Sequence, residues 1–210
     1  VLIFLSLSAN SQCPGVTLTT QAQVDAFTCS DGMLTGDLII QDDGTDPIDD
    51  LDPIYVNGLS FGSSVTGDVV VTNCPSLQTL FGLDGIGSIG GQLIVQGNAQ
   101  LSTFQGSFDF LTSVGSIKLE SNPLLSSISA FDNLTSCTDI RIKNCEVLVE
   151  ISGFSGLLTM SNQVRIEDND QLETISGFSN LQSTSYIVIG SNLVLDSISG
   201  FASLLEVAGL

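Results

Sequence analysis

The chain has 210 residues, 42% of them hydrophobic, with 21 glycines and no tryptophan, which is enough apolar material for one aliphatic core and argues against disorder. Against 23 acidic residues stand 4 basic ones and no histidine, a formal charge of −19, and such a surface repels nucleic-acid phosphates and anionic membranes. Without histidine the commonest general base and metal ligand are gone, and with them Ser-His-Asp triads and ordinary zinc chemistry.

The chain opens on "VLIFLSLSANSQCPG", an apolar run with Ala9 and Ser11 at the −3 and −1 positions of a cleavage site. Residues 1–11 read as a signal-peptide remnant whose basic leader is missing from the front, the run being too short to span a bilayer. A lipoprotein site is not expected, because Asn10, Ser11 and Gln12 are not the small apolar residues such a site shows before its cysteine. No later stretch has transmembrane character, so membrane insertion is not expected. Residues 12–35 read as an N-terminal cap. Within them "TTQAQVDAF" carries the capping-box pair Thr20 and Gln23, with Val24 and Phe27 on one apolar side, which predicts a short helix over the open end of the fold.

Residues 36–210 are repetitive. Leu38 and Ile40 begin the first rung, interrupted by "DDGTDPIDDLDPIYVNG". Thereafter Cys74, Asn98, Asn122, Cys145, Asn169 and Asn192 recur every 23 or 24 residues. Five and three residues before each stands an aliphatic side chain, first Val69, Leu93, Ile117, Ile140, Val164 and Ile187, then Val71, Val95, Leu119, Ile142, Ile166 and Ile189. Period two with β-branched residues predicts a strand. Leucines follow three residues after the Asn/Cys position, and three further on come Leu80, Phe104, Ile128, Ile151, Ile175 and Ile198. Then come small residues, Gly82, Gly106, Ala130, Gly153, Gly177 and Gly200, read as a bend, and a column of Phe131, Phe154, Phe178 and Phe201, read as stacked rings. No rung buries these residues alone, so rungs must stack ~4.8 Å apart, and the fold class is mainly β, a parallel β-solenoid. One further period from Ile187 lands on Leu210, so the protein is expected to continue past this sequence.

Cys74 and Cys145 occupy the turn position that Asn holds in other rungs, three rungs and about 14 Å apart on strand spacing, beyond disulfide reach. Cys137 falls in the column of Met160 and Val207. All three read as core thiols. Cys13 and Cys29 precede the first rung and are the candidate disulfide, clasping the cap in an oxidising compartment.

"TTQAQVDAF", then "GDLII", then copies such as "GFSNLQSTSYIVIGSNLVLDSISGF", together resemble the receptor L-domain family, a leucine-rich-repeat relative, in the version found in secreted or surface proteins of Bacteroidetes-type bacteria. The resemblance covers roughly residues 12–210. It implies a right-handed parallel β-helix and, from animal relatives in growth-factor receptors, ligand binding. Leu stands three residues after the Asn here instead of two, and no helix recurs per rung, which sets the chain apart from ordinary leucine-rich repeats.

The four basic residues gather on one outward face. One column reads Lys118, Arg141, Arg165 and its neighbour Glu120, Lys143, Glu167. These six are the candidate ligand-binding residues, as a patch for an acidic glycan or a carboxylate-bearing protein. The competing and favoured reading pairs Lys143 with the glutamates above and below, each exposed pair contributing about 0.2–1 kcal/mol. Asp42, Asp43, Asp46, Asp49 and Asp50, with Asp52 nearby, supply hard oxygen ligands for a candidate calcium site. Their spacing does not match an EF-hand, and a solvated acidic insertion is the favoured alternative; no other cofactor is expected. Asn133-Leu134-Thr135 fits the glycosylation sequon but also belongs to the repeating corner "FSNL".

The expected function is a non-enzymatic recognition or adhesion module, outside the cell or at its surface, that binds a protein or glycan through its sheet face. The rivals are a polysaccharide-degrading β-helix enzyme and a structural spacer in a larger surface protein.

Overall fold

The computed structural model describes residues 13–208; the signal-peptide reading of residues 1–11 and the rung start at Leu210 fall outside them. The chain winds into a parallel β-solenoid with rungs of about 24 residues. Among the described residues thirteen strands form one sheet, and every pairing is parallel. Four two-residue strands, Ser127–Ile128, Glu150–Ile151, Thr174–Ile175 and Ser197–Ile198, form a second sheet.

The register follows the repeat. Thr17, Ile39, Val70, Ile94, Lys118, Arg141, Arg165 and Val188 pair in succession along the sheet. The aliphatic residues on either side of this line, from Leu38 and Ile40 to Val164 and Ile166, point inward and are at most 1% exposed. At the last described rung Ile189, Leu195, Phe201 and Leu204 are only partly buried against the same core. Segment 12–35, read as a cap, contributes a strand of the sheet as well as a helix. Cys13–Leu18 pairs in parallel with Met33–Gln41.

The helix spans Gln21–Asp25. Thr20 Oγ1 accepts the Gln23 N–H at 3.3 Å, while Gln23 Oε1 reaches back to the Thr19 N–H at 2.6 Å, one residue earlier than a capping box has it. Val24 and Phe27 are buried as expected. The insertion after Gln41 holds a second helix that its acidic composition hid, Asp52–Asn57, started by Pro53 and anchored in the core by Ile48, Leu51 and Ile54. No helix among the described residues is long and apolar enough to cross a membrane.

Left-handed backbone recurs at two corners of the rungs. The first is the residue before the Asn/Cys position: Asn73, Gly97, Ser121, Asn144, Asp168 and Ser191 have φ between 53° and 71°. Glycine and short polar side chains tolerate that region best, which accounts for the composition of this column. The second is a departure from the sequence reading. The spacing predicts the bend at the small-residue column, and Gly82 and Gly106 do take positive φ. In later rungs the left-handed residue is instead the phenylalanine, with φ of 71° at Phe131, 68° at Phe154 and 61° at Phe178. Glycine precedes it for space: a β-carbon on Gly177 would strike the Gly153 carbonyl oxygen, and one on Gly153 the Ala130 carbonyl oxygen.

The strained rings are held by one another. Phe108, Phe131, Phe154, Phe178 and Phe201 stack at centroid distances of 5.5, 5.0, 4.8 and 5.3 Å. Phe108 joins the stack one residue late in its rung, a member that a fixed spacing misses.

Candidate functional site

The outward side of the long strands is the candidate site. Along its central line the side chains change from Ile39, Val70 and Ile94, all half-buried, to Lys118, Arg141 and Arg165, then to Val188. Glu120, Lys143 and Glu167 occupy the neighbouring column in register, so the structure brings all six candidate residues together.

Their pairing differs from the expected one. Lys143 does not bridge the glutamates; its Nζ lies 2.9 Å from Oδ2 of Asp168, the left-handed corner residue of the next rung. This contact holds the Asp168 carboxyl below the usual carboxylate range. Glu120 is left to serve two cations, Lys118 Nζ at 3.1 Å and Arg141 Nε at 2.7 Å. The Arg141 approach is close, yet Glu120 Oε1 is buried and receives no well-aligned hydrogen bond, so the attraction there is Coulombic and not a formed N–H···O bond. Arg165 forks onto Glu167 in its own strand, through Nη1 at 3.0 and 3.2 Å. Lys118 also donates to Gln96 Oε1 at 3.0 Å. All four cations therefore already have anionic partners within the face.

The aspartates of the insertion are dispersed along its turns. Asp42 accepts the Gly44 and Ile48 N–H groups, Asp43 the Thr45 N–H and the Thr19 hydroxyl, and Asp50 the Asp52 N–H. Asp46 Oδ2 accepts the Ala22 N–H at 2.9 Å, seating a carboxylate on the first turn of the Gln21–Asp25 helix. Asp49 contributes its backbone N–H to Gln21 Oε1. The Thr45 hydroxyl and then its N–H hold the Asp43 carboxyl below its ordinary value, while burial, then Asp50 and Asp84, push Asp52 up. Among the described residues no three His, Cys, Asp or Glu side chains converge as a metal-holding group. The sequence shows why the acids are there: turn and cap positions favour a carboxylate that accepts a nearby N–H.

Cys13 and Cys29 form the disulfide, with Cα atoms 5.7 Å apart. Cys74, Cys137 and Cys145 are buried free thiols. Burial pushes Cys74 and Cys145 up to about 11 and Cys137 up to about 12. Two results follow. In the folded protein at pH 8 these thiols resist iodoacetamide, and mass spectrometry finds alkylation only after denaturant; labelling of folded protein at free-thiol rates would refute their burial. A thiol whose folded value lies above its unfolded value of about 9 stabilises the fold fully below pH 9, so stability in urea falls as pH rises from 9 towards 11.

The Asn/Cys column is a structural ladder. Asn98, Asn122, Asn169 and Asn192 each accept the N–H of the same position one rung back, on Cys74, Asn98, Cys145 and Asn169, at 3.0–3.1 Å. Their amide nitrogens donate to carbonyls of the preceding strand, on Val71, Val95, Ile142 and Ile166.

Phe61 and Phe110 are prominent on the surface and belong to none of the inward columns. Phe110 did leave a signal, standing in a corner column that elsewhere holds Asn133, Gly156 and Asn180. Fold and face together define a parallel β-solenoid with a charge-compensated sheet surface. No family model, curated protein or solved structure matches the chain.

Proposed function

We propose that the chain is a non-enzymatic recognition module of receptor L-domain type, working outside the cell or at its surface and binding a protein or glycan through the sheet face. The observation that carries this reading is the unbroken register from Thr17 to Val188, which lays an aliphatic stripe end to end with a charged one on a single exposed surface. Solenoid sheet faces serve as extended binding surfaces in general. The internal neutralisation of Lys118, Arg141, Lys143 and Arg165 favours a partner of mixed polar and apolar character over a densely acidic polymer. The Cys13–Cys29 disulfide accords with an oxidising compartment.

The test replaces Lys118, Arg141 and Arg165 together with serine and screens both proteins against a glycan array and a panel of extracellular protein domains. At least one ligand of the parent protein is expected to lose tenfold or more in affinity. A thermal melt accompanies the screen, because removing Lys118 and Arg141 leaves Glu120, 12% exposed, without a cation, which costs more than an exposed pair's contribution of about 0.2–1 kcal/mol. Ligands bound equally by both proteins would favour the spacer reading, and release of reducing ends from a polysaccharide would favour the enzyme.

A further inference from the structure

We propose a second binding site, separate from the sheet face, in which Phe61 and Phe110 hold a neutral pyranose oligosaccharide. The two rings meet edge to face with centroids 4.4 Å apart, although 70% of Phe61 and 38% of Phe110 remain exposed. Neither ring serves the core. The corner that Phe110 enters is filled by Asn133, Gly156 and Asn180 in later rungs, while the adjoining Leu111, Leu134, Leu157 and Leu181 supply the buried contacts.

The rung between the two phenylalanines puts glycine beneath them. Gly87 lies against the backbone of Gly62, where a β-carbon would sit 3.3 Å from the Gly62 Cα. The result is a groove of about 500 Å³ with Gly62 and Gly87 as its floor, the two rings as its apolar wall, and Ser88, Thr112 and Asn133 as its polar margin. It lies on the near side of the bend that shifts the register between Ile89 and Gln92, whereas the charged columns lie beyond that bend.

The chemistry of the lining selects the ligand. Exposed aromatic faces take up the C–H face of a sugar ring, and hydroxyl and amide groups take up its hydroxyls. The polar groups here have capacity to spare. Thr112 Oγ1 donates to the Gly87 carbonyl at 2.9 Å and keeps its lone pairs; Asn133 uses one amide proton on the Asp109 carbonyl at 2.7 Å and keeps its carbonyl oxygen. Ser88 makes no side-chain hydrogen bond among the described residues. A wholly apolar ligand would leave these groups stranded. No cation lines the groove, and a chain of formal charge −19 opposes a uronate or sulfated sugar.

Isothermal titration with cellohexaose, xylohexaose and mannohexaose tests the site, with a polyproline decapeptide and a galacturonate hexamer as the alternative ligands. Phe61→Ala, Phe110→Ala and the sheet-face triple serine variant are run beside the parent protein, each with a thermal melt. At least one neutral hexasaccharide should bind, with affinity reduced tenfold or more by either phenylalanine substitution and unchanged by the serine variant. Phe61→Ala should fold normally, since its ring is mostly in solvent. Three results would overturn the proposal: no binding of any neutral hexasaccharide, binding that survives both substitutions, or binding of the peptide or galacturonate alone. Loss of sugar binding in the serine variant only would return the ligand to the sheet face.

Discussion

Asn169→Ala is expected to destabilise the fold by about 2–4 kcal/mol, a large share of the roughly 5–15 kcal/mol that holds a domain together. Asn169 is fully buried and its amide is fully engaged: Oδ1 accepts the Cys145 N–H at 3.0 Å, and Nδ2 lies within hydrogen-bond reach of the carbonyls of Glu167 and Ile142 at 3.0 and 3.3 Å and of Asn192 Oδ1 at 3.3 Å. Alanine removes the acceptor and leaves a buried N–H with nothing to bond, which costs more than the bond itself contributes. Asn169→Cys should cost about half as much. The Cys145 thiol stands beside the Asn122 N–H in the corresponding place, so a thiol at 169 would partly replace the amide. Urea denaturation of the two variants decides the matter. Equal losses, or a loss below about 1 kcal/mol for alanine, would show that the amide ladder does not join the rungs.

Phe154→Ala should destabilise by about 3–5 kcal/mol, since a fully buried ring is deleted from the middle of a stack. Its neighbours Phe131 and Phe178 lie 5.0 and 4.8 Å away, nearly parallel, and each such pair adds about 0.5–1.5 kcal/mol beyond area burial. Part of the loss is hidden by the backbone. At φ 68° any residue with a β-carbon bears a left-handed penalty of about 1–2 kcal/mol, so alanine keeps the strain and loses the ring. Phe154→Gly removes both, and should be the more stable of the two truncations by about 1 kcal/mol, although glycine is ordinarily the worse replacement. The reverse order in a urea melt would mean that the corner carries no strain. Phe201→Ala, at the partly buried end of the stack, should cost less than Phe154→Ala.

These two columns were legible in different degrees. The amide ladder could be read because its register never slips by more than one residue, and a buried Asn after a strand has few other uses. The ring stack was legible from Phe131 onward, but not the left-handed φ at the rings themselves. A run of Gly-Phe pairs invites the assumption that the glycine makes the turn, and only the contact of Gly153 with the carbonyl above it shows that the glycine is there for clearance. The helix Asp52–Asn57 stayed hidden because aspartates crowd the segment before it, and the buried residues there, Ile48, Leu51 and Ile54, are too few to display a period.

The sequence by itself determined the repeating aliphatic columns of the interior, the parallel register of the rungs, the placement of all four cations on one face and the pairing of Cys13 with Cys29. Each of these follows from a pattern that repeats at fixed spacing, and stacking turns equal spacing into neighbourhood. The tertiary structure decided which acid each cation takes and where two lone aromatic rings meet. Lys143 chose Asp168 over two glutamates because a left-handed corner brings that carboxylate to its ammonium, and Phe61 reached Phe110 across a rung that offers only glycine between them. Contacts of this kind depend on side-chain direction and on vacant space, neither of which has a period in the sequence.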